Sequence, residues 1–400
     1  MAIAQPSRST APSILTLFVL AACGPAGMNL CLPSLPNIAR HFEANYGLVQ
    51  LIVTGYLLAT AVLQLLIGPL SDRFGRRPLV LVCLFIFTVM SVASIFAPTI
   101  ESLLVIRLFQ SSAAGGMVLA RAIVRDTVTS TDEAASRIGY VTMGMALMPM
   151  IGPIIGGFLD EAFGWESTFI FMAVFGLFAF TVAWVDVGET NLRRSSSMTQ
   201  QFRSYPQLLR SPRFWGYSLT SGFGSGAFFA FLGGGPYVAS EMLGLSPSEY
   251  GFNFAIISIG YMLGNFLSGR FSRSVGMDRM ILSGNLLAVI GMGIGMALTF
   301  LGSISALTLF GAASAVAVGN GMSLPNSNAG MVSINPLLAG SASGLGGFLQ
   351  VGAGAFMAFI AGAVIAGAAT PMPLFVVMFI SVCLALVANL VLARGAPAAD

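Results

Sequence analysis

The chain has 400 residues, of which 56% are apolar and only 8% are charged, and its formal net charge is +3. A soluble domain carries about 25% charged residues, so this chain lacks the polar surface to cover a water-facing body, and its long apolar stretches must be solvated by lipid. At about 20 residues per crossing plus a turn, the length holds at most about a dozen crossings, which excludes most soluble enzyme folds and gives the net charge no meaning for nucleic acid.

In chain order, apolar runs between polar breaks predict crossings over 13–36, 48–70, 78–97, 101–125, 137–160 and 166–186. A second set follows over 213–238, 248–269, 278–301, 303–325, 336–364 and 371–393, with a turn at Gly302 between crossings 9 and 10. The first run is longer than a signal peptide's apolar region and reads as a retained helix. Between the sets lies one long polar stretch, 187–212, with Arg193, Arg194, a serine run from Ser195 to Ser197, Arg203 and Arg210. It reads as a cytoplasmic linker between a six-helix bundle over 1–186 and another over 213–400.

The arginines orient the crossings. All basic residues are arginine, and with the N-terminus inside, every one except Arg40 and Arg107 falls in a cytoplasmic segment. Both termini are therefore expected in the cytoplasm. Glu43, Glu101, Asp160, Glu161, Glu166, Glu241 and Glu249 fall at outer ends, and no acid lies near the middle of a crossing. Cys23, Cys31, Cys83 and Cys383 sit in apolar runs without metal-ligand spacing, so they read as small buried side chains, with no metal site expected. The single histidine, His41, lies in the first outer loop and is assigned no role.

A repeat divides the chain. Gly-Pro-Leu-Ser-Asp-Arg-Phe-Gly-Arg-Arg-Pro-Leu-Val-Leu over 68–81 returns, with its charges degraded, as Gly-Arg-Phe-Ser-Arg-Ser-Val-Gly-Met-Asp-Arg-Met-Ile-Leu over 269–282. Gly68, Ser71 and Gly75 match Gly269, Ser272 and Gly276, while Arg273 stands for Asp72 and Met277 for Arg76. Two equivalent halves with a substrate site between them follow from such a repeat.

The 68–81 segment resembles the loop 2–3 signature of the major facilitator superfamily. The resemblance implies that Gly68 lets helix 2 approach a neighbour, that Gly75 serves a tight turn, and that Asp72 caps the start of helix 11. It also implies that Arg76, beside Arg77, pairs with Asp126, the whole forming a latch on the cytoplasmic side. Gly144, Gly152-Pro153 and Gly156-Gly157 in helix 5 resemble the antiporter motif of drug exporters, where small residues allow close packing and the proline bends the helix. Arg107-Leu-Phe-Gln110 and Arg121-Ala-Ile-Val-Arg125-Asp126 in helix 4 are similar to the bicyclomycin and chloramphenicol-florfenicol resistance exporters, as are Leu32-Pro33-Ser34-Leu35-Pro36 and Gly340-Ser-Ala-Ser-Gly.

What this implies is an all-α integral membrane protein of the major facilitator fold, twelve transmembrane helices in two pseudo-symmetric six-helix bundles. It would be a monomer in a bacterial inner membrane, without cofactor and not an enzyme, exporting small, largely apolar drugs by alternating access and proton antiport. A transporter dedicated to one metabolite, anionic in view of Arg107, is the alternative.

Arg107 cannot shed its proton, so it must be paired, hydrated or facing a cavity, and a central-cavity cation is the functional expectation. The family's helix 1 carries an acid three residues before the Leu-Pro pair, and here that position is Asn29, which does not titrate. Proton carriage then falls to other groups. Asp126 is one candidate, while Glu101 and Asp160 read as solvated terminal charges. Other expected cavity residues are Tyr56, Gln64, Gln110, Tyr140, Phe228, Phe231, Tyr237, Tyr261, Asn265, Asn320 and Gln350, and the run Gly233-Gly-Gly-Pro236 is expected to break the outer end of helix 7.

Overall fold

The computed structural model describes residues 12–128, 131–191, 205–335 and 338–393, and among these there is no strand. Its long helices, numbered as the crossings, are α1 Ile14–Asn29, α2 Leu51–Phe74, α3 Arg76–Ile95, α4 Ile100–Thr127, α5 Thr131–Phe163 and α6 Glu166–Asp186 in the first half. The second half holds α7 Pro212–Tyr237, α8 Pro247–Val275, α9 Met277–Phe300, α10 Ala306–Ser333, α11 Ala339–Ile365 and α12 Met372–Ala388. Of the linker's arginines and serines, Arg193, Arg194, Ser195 to Ser197 and Arg203 lie outside the described residues.

Ten of these helices are long and apolar enough by themselves to cross a bilayer, and the two that are not are informative. α1 has sixteen residues, nearly all buried. α7 is rich in glycine, serine and threonine, and Thr220, Ser221, Gly222, Gly224, Ser225 and Gly226 are all buried in protein, so it needs no lipid-facing stripe. Burial also singles out α4 and α10, at 61% and 72% of their apolar windows against 24–44% for the others. Every third helix, α1, α4, α7 and α10, is thus interior.

The two halves repeat in their packing. α1 packs on α5 as α7 packs on α11, and α2 on α4 as α8 on α10; across the halves the pairs are α2 with α11 and α5 with α8. The sequence repeat is a backbone repeat as well. Gly75 at φ 103° joins α2 to α3 and Gly276 at φ 92° joins α8 to α9, each a one-residue hinge in a conformation a side chain would strain. Gly302, at φ 83°, makes the turn expected between α9 and α10.

Some boundaries differ from the sequence reading for local reasons. Crossing 1 was expected to run through 36, but the helix stops at Asn29, and a tight turn leads into a separate short helix, Leu35–His41, with Pro36 in its first turn. α4 is interrupted after Gln110 by a 3₁₀ turn over Ser111–Ala113. The Gly233-Gly-Gly-Pro236 run does not break α7 as expected. The helix passes through Pro236 and continues as a π-turn, Val238–Met242. Below, the terminal end means the end of the bundle where α1 begins and α12 finishes, and the far end is the opposite one.

Candidate functional site

A cavity of about 610 Å³ lies between the halves, within the range of small-molecule sites, and runs from mid-bundle toward the terminal end. On one side α1 contributes Pro25 and Met28, and α5 contributes Gly139, Thr142, Met143, Met145, Pro149 and Met150. On the other stand Ser225, Phe228 and Phe229 of α7, Phe254 to Asn265 of α8, Asn320 and Leu324 of α10 and Gln350 of α11. Among the described residues none in this wall is charged. Its amides already spend their N–H groups locally: Asn320 Nδ2 donates to the Gly224 carbonyl at 2.9 Å, Gln350 Nε2 to Ser225 Oγ at 2.9 Å, and Asn265 Nδ2 to the Tyr261 carbonyl at 2.8 Å. The carbonyl oxygens of Asn320 and Gln350 remain as acceptors, set in a surface of methionine and aromatic rings.

Phe228, Tyr261, Asn265, Asn320 and Gln350 therefore stand where the sequence reading expected them. The others need correction. Phe231 is fully buried among Phe254 and Phe310. Tyr140 is 39% exposed beside the wall and not in it, one helical step round from Gly139. Asn29, at the end of α1, is buried against Gly152 of α5, while Tyr56, Arg107 and Gln110 are brought together behind α1 and away from the cavity.

There Arg107 is fully buried, its Nη1 donating to the Gly27 carbonyl at 2.8 Å and to Gln110 Oε1, with its guanidinium 4.6 Å over the Tyr56 ring and 5.9 Å from that of Phe169. Nε and Nη2 have no partner, and no carboxylate pairs with it among the described residues. Tyr56 donates to the Gly24 carbonyl and Asn29 Nδ2 to that of Pro25, each at 2.8 Å. Two side chains, Arg107 and Tyr56, thus tie the stretch of α1 whose Pro25 and Met28 face the cavity. The central-cavity cation of the sequence reading is displaced because α1 stands between it and the cavity. Arg107→Met removes a buried charge that has no counter-charge, so thermal stability is expected to stay within about 1 kcal/mol of wild type or to rise. Substrate binding should weaken, because α1 loses its tie at Gly27. A melting curve and an equilibrium binding assay check the two, and a large loss of stability with binding intact would contradict this account.

At the terminal end Arg76, 4% exposed, is the centre of a charge cluster. Its Nε donates to Asp126 Oδ2 at 2.9 Å, its Nη1 meets Asp72 Oδ1 and Ser71 Oγ, and its backbone N–H donates to Glu189 Oε1 at 3.0 Å. Asn191 Nδ2 donates to the Asp72 carbonyl at 2.9 Å, and Arg77 donates to the Trp184 carbonyl at 3.0 Å. A side chain at Gly75 would overlap the Glu189 carboxylate. The pairing of Arg76 with Asp126 is as expected, whereas two other expectations are not met. Asp72 binds Arg76 instead of capping α11, and nothing lies within 4 Å of a Cβ placed at Gly68, so that glycine permits no close approach. Among the described residues, the contacts of this cluster stay within the first half and the start of the linker. Glu189 and Asn191, just beyond α6, are members the sequence reading missed; an acid and an amide in a polar linker gave no periodic signal.

Residues 17–358 match the family model described as Major Facilitator Superfamily. The chain belongs to the major facilitator superfamily. Among curated relatives, it is 30% identical over 372 residues to the "Uncharacterized MFS-type transporter YdgK" of Bacillus subtilis (strain 168), covering 91% of each chain. It is 26% identical to the "Bicyclomycin resistance protein homolog" of Haemophilus influenzae, covering 91% of this chain and 92% of the relative, and 29% identical to a "Chloramphenicol resistance protein" of Pseudomonas aeruginosa, covering 72% and 66%. Among solved structures, a bacterial homolog of the human lysosomal transporter Spinster, inward-facing and unoccupied, superposes with a TM-score of 0.74 over 100% of both chains at 16% identity, a likeness of fold.

In this major facilitator chain the halves meet at the far end. Arg40 Nη2 donates to Ser240 Oγ at 3.0 Å and Glu241 Oε1 at 3.1 Å, Tyr46 donates to the Gly233 carbonyl at 3.1 Å, and the Ser248 N–H donates to Glu161 at 3.2 Å. The glycines of helix 5 set the spacing. A Cβ at Gly144 would lie 2.5 Å from the Phe18 carbonyl oxygen and one at Gly152 would lie 3.1 Å from Asn29 Cβ, while one at Gly156 would overlap the Leu30 carbonyl, all on α1 or its end. A Cβ at Gly157 would instead overlap the Pro247 carbonyl of α8, and Gly251 of α8 meets the Pro153 carbonyl in the same way. The motif thus has two faces, one packing a half and one closing the halves together. The cavity methionines were missed in the sequence because they read as ordinary apolar residues; the α5 face through Gly139, Thr142, Met143 and Met150 at helical spacing was the available signal.

Proposed function

We propose that this transporter exports small, uncharged, largely apolar molecules that carry hydroxyl or amide donors, of the chloramphenicol, florfenicol and bicyclomycin kind. The cavity carries this reading: its wall has no charged residue and offers acceptor oxygens at Asn320 and Gln350 within methionine and aromatic surface. Adaptable methionines suit several ligand shapes. The names of the Haemophilus and Pseudomonas relatives support the same substrate class. A dedicated carrier of one anionic metabolite is the weaker reading, since Arg107 stands behind α1.

In this reading the protein acts as a monomer in a bacterial plasma membrane with both termini in the cytoplasm, so that the terminal end faces the cytoplasm. The halves 1–186 and 213–400 rock about the cavity, joined by the linker 187–212, and an inward proton flow drives export. The test is uptake of chloramphenicol, florfenicol and bicyclomycin into inverted vesicles, with and without an imposed pH gradient. Gradient-dependent uptake is expected, and Asn320→Leu with Gln350→Leu should lower it by about tenfold or more, since each removes an acceptor from the cavity wall. Uptake of none of the three would overturn the reading.

A further inference from the structure

Asp160 was expected as a solvated terminal charge. It is instead 4% exposed and the only acid buried among the described residues. Its Oδ1 has no partner, and its Oδ2 accepts from Asn37 Nδ2 at 2.5 Å. Asn37 Oδ1 in turn accepts from Arg40 Nη1 at 3.0 Å, and the other arm of that guanidinium holds Ser240 and Glu241 of the second half. One chain of polar contacts therefore leads from a buried carboxylate, through an amide with a fixed sense, to a cross-half ion pair. Asn37 and Arg40 also line a polar vestibule of about 240 Å³ at the far end, so Asp160 lies one hydrogen bond behind water-accessible space.

We infer that Asp160 is a proton-binding site that sets the far-end closure through Asn37 and Arg40. With Asp160 ionised, the Asn37 NH₂ must face it, which turns the Asn37 carbonyl to Arg40 and holds the guanidinium across the halves. A proton taken from the vestibule onto the Asp160 carboxylate makes it an O–H donor to Asn37 Oδ1. The amide then turns, its NH₂ faces the guanidinium, and donor meets donor. Protonation loosens the latch, and by linkage Asp160 holds its proton more tightly when the far end is open. Acid on the far side favours opening.

The other charged groups facing Asp160 are Arg40, Glu161 of its own helix and Glu166 at the start of α6, with Glu249 of α8 across the vestibule. His41, on the same short helix as Arg40, packs edge-on against Phe42 and tilted against Trp165 and is not a member of the path from Asp160 through Asn37 to Arg40. Asp160 also lies ten residues beyond Met150, about 15 Å along α5, so it has no route to the cavity and acts as a one-sided sensor distinct from a proton carrier.

The inference rests on the transporter reading only in taking the far end as the exit gate, and its test needs no substrate. Spin labels at Glu43→Cys and Ser303→Cys, exposed far-end positions in opposite halves, report the separation in a Cys383→Ser background, the other cysteines being buried. Between roughly pH 8 and pH 5 the open fraction should rise about threefold or more in wild type. Asp160→Asn should be open throughout, while Asp160→Glu and His41→Gln keep the response. A wild-type pH response in Asp160→Asn, or its loss in His41→Gln, overturns the proposal. If Asp160→Asn fails to fold, Arg40→Gln at an exposed position takes its place, and a retained pH response in that variant overturns the proposal equally. Failure to transport any drug would sink the substrate reading and leave these distances unaffected.

Discussion

Gly157→Val is expected to abolish transport while leaving a folded protein, whereas Gly156→Val, one residue earlier, should fail in folding. The two glycines look alike in sequence and differ in what they touch. Gly156 lies against the Leu30 carbonyl at the end of α1, inside the first half, and α1 is buried on nearly all sides. Added methyls there push on backbone that has nowhere to go, and overpacking of this kind costs about 1–3 kcal/mol or more. Gly157 lies against the Pro247 carbonyl at the start of α8, in the other half. The same steric cost falls there only on the far-end-closed state. About 3 kcal/mol against one state shifts a two-state population by roughly a hundredfold, enough to hold the far end open and stop cycling. Thermal melting separates the variants, and a label pair across the far end should show Gly157→Val locked open. Equal melting losses in both would contradict the division of the motif into two faces.

Arg76→Met should produce the largest loss of stability of any single charge removal in the chain, about 3–5 kcal/mol, because it strands acids around a buried position. Arg76 holds Asp126, Asp72 and Ser71 through its side chain, Arg125 reaching Asp126 only at 4.0 Å, and its backbone N–H holds Glu189. Met fills the volume but leaves the Asp126 carboxylate without its strongest partner, at the junction of α2, α3, α4 and the segment after α6. Arg77→Met, by contrast, removes one bond to the Trp184 carbonyl at an exposed site and should cost about 1 kcal/mol or less. Melting curves of the two variants check the ranking, and a milder loss for Arg76→Met than for Arg77→Met would show that the cluster is not organised round Arg76. Arg107 makes the useful comparison. It is more deeply buried than Arg76 but neutralises no acid, so its removal strands no charge, only the Gly27 and Gln110 oxygens.

Crossing number and the division into halves were legible in the chain, because lipid imposes its requirement on each helix separately: an apolar run of fixed length, ended by polar residues or a glycine hinge. The repeated Gly75 and Gly276 belong to the same class, since a positive φ is a local demand that glycine meets alone. The pairing of Arg76 with Asp126 was readable from the motif. The helix ends were readable only to within several residues: α8 runs on to Val275 and α10 to Ser333, past the expected 269 and 325, while α1 stops early at Asn29.

What the sequence could not decide is which side of a helix faces what. Arg107 reads as a cavity residue because a charge in a crossing must avoid lipid, and it does, yet the interior of a bundle has two polar-tolerant places, the cavity and the contacts behind α1. Only the position of α1 chooses between them. Asp160 at a helix end reads as solvated, since the end of a crossing ordinarily meets water, and it is the fold of the Leu35–His41 segment over it that removes the water. Gly156 and Gly157 are the same residue to any sequence rule, and their 100° separation round α5 sends one to α1 and the other to α8. The sequence by itself determined the number and order of the helices, whose energetics are local. The identity of the cavity wall, the cluster around Arg76 and the far-end closure were decided by tertiary structure, because each depends on contacts between residues far apart in the chain, from 50 positions for Arg76 and Asp126 to 201 for Arg40 and Glu241.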